Sequence, residues 1–163
     1  MVSPAGAGQS GAEGSHPGPA AVSIPVAIRA AIAAHARAEA PNEACGLIIG
    51  DRPAAAGGRP LRWEPTRNRA GSPFRYEIDS EDLLRLTIAT DDAGEVFWAI
   101  VHSHVASPAR PSATDIGLAF YPDALYVLVS LDPGAADPGS GEPALRAWRI
   151  VDGAVHEVAV IDG

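Results

Sequence analysis

Apolar residues recur along the chain with two periods, and the alternation divides it into predicted strands and helices. Val22 and Ile24 flank Ser23 with the period of two that marks a strand. Pro25 then suits a first helical position, and Ile28, Ile32 and His35 recur at helical spacing as far as Ala38, where Pro41 closes the helix. The unbroken run from Cys45 to Gly50 predicts a buried strand, and the Gly and Pro content of Asp51 to Pro60 predicts a loop. Leu61 to Thr66 and Phe74 to Ile78 predict two more strands, and Ser80 is placed to cap a helix through Leu83, Leu84 and Leu86 to about Thr90, with Gly94 as its stop. Val96 to Val101 is an apolar strand that runs straight into His102, Ser103 and His104. A helix near Ala113 to Phe120, a strand from Leu125 to Leu131 and a Gly/Pro loop from Asp132 to Pro143 follow. Asp152 and Gly153, between Leu145 to Ile150 and Ala154 to Ile161, are a two-residue hairpin signal. No internal repeat interrupts the pattern.

The pattern starts only after Ala20. Met1 to about Ala20 holds Gly, Ala, Pro and Ser with few large apolar groups, too little to offset the entropy of ordering it, so residues 1–21 are expected to form a disordered tail and residues 22–163 one domain. The stretch lacks the basic start and apolar centre of a signal peptide. At 163 residues, 47% of them apolar, the chain has enough for one sizeable core and too little for two.

Charge and cysteine content narrow the chemistry. A net charge of −8 argues against nucleic acid as a partner, because that affinity rests on Lys and Arg displacing counterions. All twelve basic residues are Arg, so the chain offers no side-chain amine for conjugation and reads as a protein that acts on conjugates. Cys45 stands alone, which excludes an internal disulfide and a multi-thiolate zinc site and fits a reducing cytoplasm. No run is long and apolar enough to predict a membrane span.

The candidate chemistry lies between His102 and Asp115. Residues two apart on a strand share a face, so His102 and His104 present two imidazoles together while Ser103 points away. Asp115 follows with ten residues between, in the first turn of a helix that Ser112 can cap. Two His and one carboxylate form the open three-ligand set of catalytic zinc, whereas closed structural sites take four protein ligands. A His-x-His pair alone reads more readily as a hydrogen-bonded surface or core pair; the added Asp115 and Ser112 tip it toward a metal. Water activated by such a metal still needs a base, and Glu43, between the first helix and a buried strand, is the candidate. Cys45 reads as inert packing and His35 as a packed histidine. His16 and His156 lack partners at metal spacing, and Glu81, Asp82, Asp91 and Asp92 read as solvated acids.

Glu43, Cys45-Gly46, His102-Ser103-His104, Pro111-Ser112 and Asp115 together resemble the JAMM/MPN-plus (Mov34/JAB) zinc metallopeptidase motif, including the seven residues between His104 and Ser112 and the two between Ser112 and Asp115. The resemblance implies an α/β fold, a single JAB/MPN domain with a cytidine-deaminase-like mixed sheet flanked by helices. It implies Zn2+ on His102, His104 and Asp115, Glu43 as the base, and Ser112 stabilising the oxyanion. Many members have Pro after the second His; this chain has Val105, which changes the rim there. Through Pro122 to Ser130 and Trp148 to Gly153 the chain is similar to small bacterial peptidases that free cysteine from the Gly-Gly end of a ubiquitin-like sulfur-carrier protein. Removal of a modifier from lysine and a non-catalytic scaffold of the same fold are the alternatives. The sequence leaves the oligomeric state open.

Overall fold

The structure, a computed structural model, describes residues 18–163; most of the expected tail lies outside the described residues. The elements run β1 (Ala21–Ile24), α1 (Val26–Glu39), β2 (Cys45–Gly50), β3 (Pro60–Thr66), α2 (Ser80–Ala93), β4 (Val96–His104), α3 (Ala113–Gly117), β5 (Leu125–Ser130), β6 (Ala144–Val151) and β7 (Ala154–Asp162). The strands form one mixed sheet in the order β1-β7-β6-β5-β4-β2-β3. β1 with β7 and β4 with β5 are parallel, and the other neighbours are antiparallel. The expected mixed-sheet α/β fold is the one found.

Two cores cover the two faces of the sheet. On one, Ile28, Ile32 and Ala36 of α1 meet Ile48, Val101, Val127 and Val129. On the other, Leu86 of α2 joins Leu47, Ile49, Ile100, Leu128 and Trp148. β2, β4 and β5 lie at the middle of the sheet with both faces covered, which is why β2 and β5 read as unbroken apolar runs. The β6–β7 hairpin turns through Asp152 at φ 50° and Gly153 at φ 78°, the two left-handed residues that the Asp-Gly pair predicts.

Three expectations need correction. Phe74 to Ile78 is not a strand: only Ile78 makes a bridge, to Asn68, because the Asn68 side chain engages the backbone of Arg75 and Glu77 in place of a neighbouring strand. α2 is capped by Asp79, whose carboxylate accepts from the Glu81 and Asp82 amides, and not by Ser80. α3 stops at Gly117, short of the predicted Phe120, since glycine is a poor helix former and a helix this short has little to carry it past one.

Gly46 illustrates how tightly β2 and β3 pack. A Cβ there would lie 2.5 Å from the Glu64 carbonyl oxygen and nearer still to the Trp63 ring, which in turn sits edge-on to His35 at 5.9 Å. Gly46→Ala is therefore expected to destabilise the fold by about 1–3 kcal/mol, as overpacking does. Urea unfolding should show a lower midpoint at unchanged slope; an unchanged midpoint would mean that β3 yields without cost.

Candidate metal centre and active site

β4 carries the two histidines to the end of the central strands. Ile100, His102 and His104 share one face by strand alternation, and the register sets His102 between Cys45 of β2 and Leu128 of β5. His102 is 1% exposed and His104 is also buried. Ser103 points to the opposite face, as expected, and has a use there: its Oγ accepts from the Ala44 amide at 2.7 Å while its own amide donates to the Ala44 carbonyl at 3.0 Å. That pair fastens the Glu43–Ala44 segment to the histidine strand.

Asp115 is aimed by the cap of α3. Ser112 Oγ accepts from the Asp115 amide at 3.1 Å, and the Ser112 amide donates to Asp115 Oδ2 at 2.8 Å, a reciprocal capping box. The sequence placed Asp115 in the first turn; the box explains how a five-residue helix holds the carboxylate still. The connecting loop is pinned from outside, where Trp148 Nε1 donates to the Ala109 carbonyl at 2.9 Å and Ser130 Oγ to the Ser107 carbonyl at 2.6 Å.

The three side chains converge on one point. His102 Nε2 and His104 Nε2 are 3.3 Å apart, Asp115 Oδ2 is 3.1 Å from His104 Nε2, and Asp115 Oδ1 is 3.3 Å from His102 Nε2. Proton bookkeeping shows what such a cluster needs. His104 Nδ1 lies 2.8 Å from the Pro108 carbonyl, an acceptor only, so Nδ1 carries the hydrogen and Nε2 of the neutral ring is a bare lone pair. That lone pair faces a carboxylate oxygen, and two acceptors at this distance require a cation between them: a proton or a metal ion. The donor set, two imidazole nitrogens and one carboxylate, fits a metal ion, and the ligand atoms lie within 4.8 Å of one another.

The electrostatics agree. Burial opposes charge on all three groups, yet the hydrogen bonds with the histidines hold the Asp115 carboxyl well below the usual range, and Asp115 in return raises His104. Burial dominates at His102 and lowers it, which keeps a neutral ring ready to coordinate.

Glu43 is 4% exposed, and its Oε2 is buried without a hydrogen-bond partner. Burial pushes its carboxyl up to about 7; His104 opposes the rise and Asp115 adds to it, so the group is coupled to both. A carboxylate without polar partners beside a cation-seeking cluster matches the needs of a general base. The Cys45 thiol, bonded to Thr66 Oγ1 at 3.3 Å, is pushed up to about 11 by burial and is no nucleophile at neutral pH.

Sequence reasoning missed two residues here. Tyr76 stacks on the His102 ring with centroids 4.3 Å apart and planes at 20°. Asn68 donates to the Glu43 carbonyl at 3.0 Å and so grips the segment that carries Glu43. Asn68 followed by Gly71 was a turn signal; nothing in the local pattern tied either residue to the histidines.

Residues 25–151 match the family model of prokaryotic homologs of the JAB domain. Over 130 residues the chain is 47% identical to the CysO-cysteine peptidase of Mycobacterium tuberculosis (strain H37Rv), covering 80% of this chain and 83% of that one. It is 34% identical over 116 residues to the desampylase of Haloferax volcanii, covering 68% and 81%. A solution structure of a Desulfitobacterium hafniense protein superposes with TM-score 0.72 at 33% identity, over 86% of this chain and 92% of the other.

Proposed function

The chain belongs to the prokaryotic JAB-domain family, and from that premise we propose that it is a zinc-dependent peptidase that cuts after the C-terminal Gly-Gly of a small ubiquitin-like sulfur-carrier protein and releases cysteine. The observation that carries the chemistry is the facing of acceptor atoms at His104 and Asp115 beside the unpartnered Glu43 carboxylate. The substrate rests on the likeness to the mycobacterial CysO-cysteine peptidase, which spans four-fifths of each chain.

In this reading His102 Nε2, His104 Nε2 and Asp115 hold the zinc. Bound there, zinc lowers the pKa of a water to about 7 and polarises the scissile carbonyl. Glu43 takes the proton of the attacking water and hands it to the departing amine. Ser112 Oγ spends only a lone pair on the Asp115 amide, so its hydrogen is free to donate to the carbonyl oxygen as charge develops. A Gly-Gly tail suits a buried centre, because a side chain on either residue would hold the carbonyl away from the ligands.

The remaining proposals follow from bulk properties. Residues 22–163 act as one catalytic domain, and the chain works in the cytoplasm with Cys45 reduced. Among the described residues no helix is long and apolar enough to cross a membrane, and the acidic balance disfavours nucleic acid.

The test is mass spectrometry of a carrier–cysteine adduct incubated with the purified chain. The expected product is the carrier shortened by one cysteine and still ending in Gly-Gly. The likeness to the Haloferax desampylase favours a second reading, removal of a modifier from lysine. A carrier–lysine isopeptide cleaved at the higher kcat/KM would replace the first reading with the second.

A further inference from the structure

The two proposed histidine ligands are held in unlike ways. His104 is oriented through its second nitrogen, which donates to the Pro108 carbonyl. A metal-ligating histidine almost always has such a partner, because the torsion that turns the ring is soft without one. His102 has none: its Nδ1 is buried and unpartnered.

What lies against His102 instead is the Tyr76 ring, stacked face to face at 4.3 Å. Tyr76 is carried on the segment joining β3 to α2, and that segment is clamped at several points. At its base the Asp79 amide donates to the Arg67 carbonyl at 3.0 Å, and the Arg67 guanidinium donates to Asp79 Oδ1 at 2.8 Å and to Asp82. Inside it, Asn68 uses its whole bonding capacity. Its Nδ2 donates to the Glu43 and Arg75 carbonyls, and its Oδ1 accepts from the Ala70 and Glu77 amides, all at 3.0 to 3.1 Å. The bonds to residues 75 and 77 bracket Tyr76, and the Glu43 amide donates to the Ser72 carbonyl at 2.9 Å. One side-chain amide therefore fixes both the tyrosine backbone and the segment that bears the base.

We propose that Tyr76 is the positioning residue of the His102 imidazole, fixing by ring stacking a ligand that lacks the usual hydrogen bond. The inference rests on the metal-centre reading above.

The experiment measures zinc affinity of the full chain by competition with a chromophoric chelator, well below the melting temperature of each metal-free variant. It is paired with the visible spectrum of the cobalt-loaded protein, which reads ligand geometry. Tyr76→Leu, which removes the stack, is expected to weaken zinc by about tenfold or more and to alter the cobalt bands, the size of effect that loss of a ligand's orienting partner has elsewhere. Tyr76→Phe, which keeps the stack, should match the wild type in both. Should the Leu variant not fold, Tyr76→Met gives the same comparison with a more adaptable side chain. Wild-type affinity and bands in the non-aromatic variant would overturn the inference alone, as would a Phe variant as weak as Leu, which would shift the role to the hydroxyl. A wild-type chain that takes up no zinc overturns the metal centre and the inference with it.

Discussion

Glu43→Gln is expected to leave zinc uptake at the wild-type level and to lower kcat by about 10²–10⁴-fold, the usual worth of a positioned general acid–base group. The amide keeps the shape of the side chain and cannot take a proton, and Glu43 is not among the three converging ligands. A second readout separates this from a general disturbance. Burial raises the Glu43 carboxyl from 4.5 to about 7, so the folded chain binds this proton more tightly than the unfolded one. Stability linked to it is fully present below pH 4.5 and is lost as pH rises through 7. The metal-free Gln variant should therefore gain on the metal-free wild type by up to about 3 kcal/mol above pH 7 and by nothing near pH 4. An active site that strains its own fold in this way is the stability–function trade at a single residue. Near-full turnover in the Gln variant would remove Glu43 from its role, whatever the stability showed.

The parts of this site that the sequence carried are those set by local geometry. The period of two on β4 put His102 and His104 on one face, and the Ser112 to Asp115 spacing is a cap whose two bonds both lie within α3 and its first neighbour. What stayed hidden depends on partners far away in the chain. Phe74, Tyr76 and Ile78 alternate like one face of a strand, yet Phe74 is 88% exposed while Tyr76 packs on His102. The Arg75 carbonyl and the Glu77 amide, which a strand would have spent on a neighbouring strand, go to the side chain of Asn68, and no pattern rule anticipates a side chain standing in for part of a strand. The choice between Asp79 and Ser80 as the cap of α2 was also not local. Both are good caps, and Arg67, reaching Asp79 from the end of β3, ties that residue in place.

His104→Ala is expected to abolish zinc retention and activity together, the reverse of the Glu43 pattern. Zinc bound to four protein ligands is worth about 10–16 kcal/mol, or roughly 3 kcal/mol for each ligand, so losing one of three weakens binding by about two orders of magnitude. The geometry makes His104 the most sensitive place to cut. It alone of the two imidazoles is held at both nitrogens, by Pro108 on one side and the cluster on the other, and its Nε2 is near both His102 and Asp115. Without the ring, Asp115 keeps the Ser112 amide and His102, which hold its charge but leave no pair of imidazoles to close around an ion. Because a ligand that binds only the folded state raises the melting temperature, zinc should stabilise the wild type and leave the His104→Ala variant unmoved. Elemental analysis after desalting and a melting curve with and without zinc read both. A variant that still held about one zinc per chain would place the metal elsewhere, and with it the reaction.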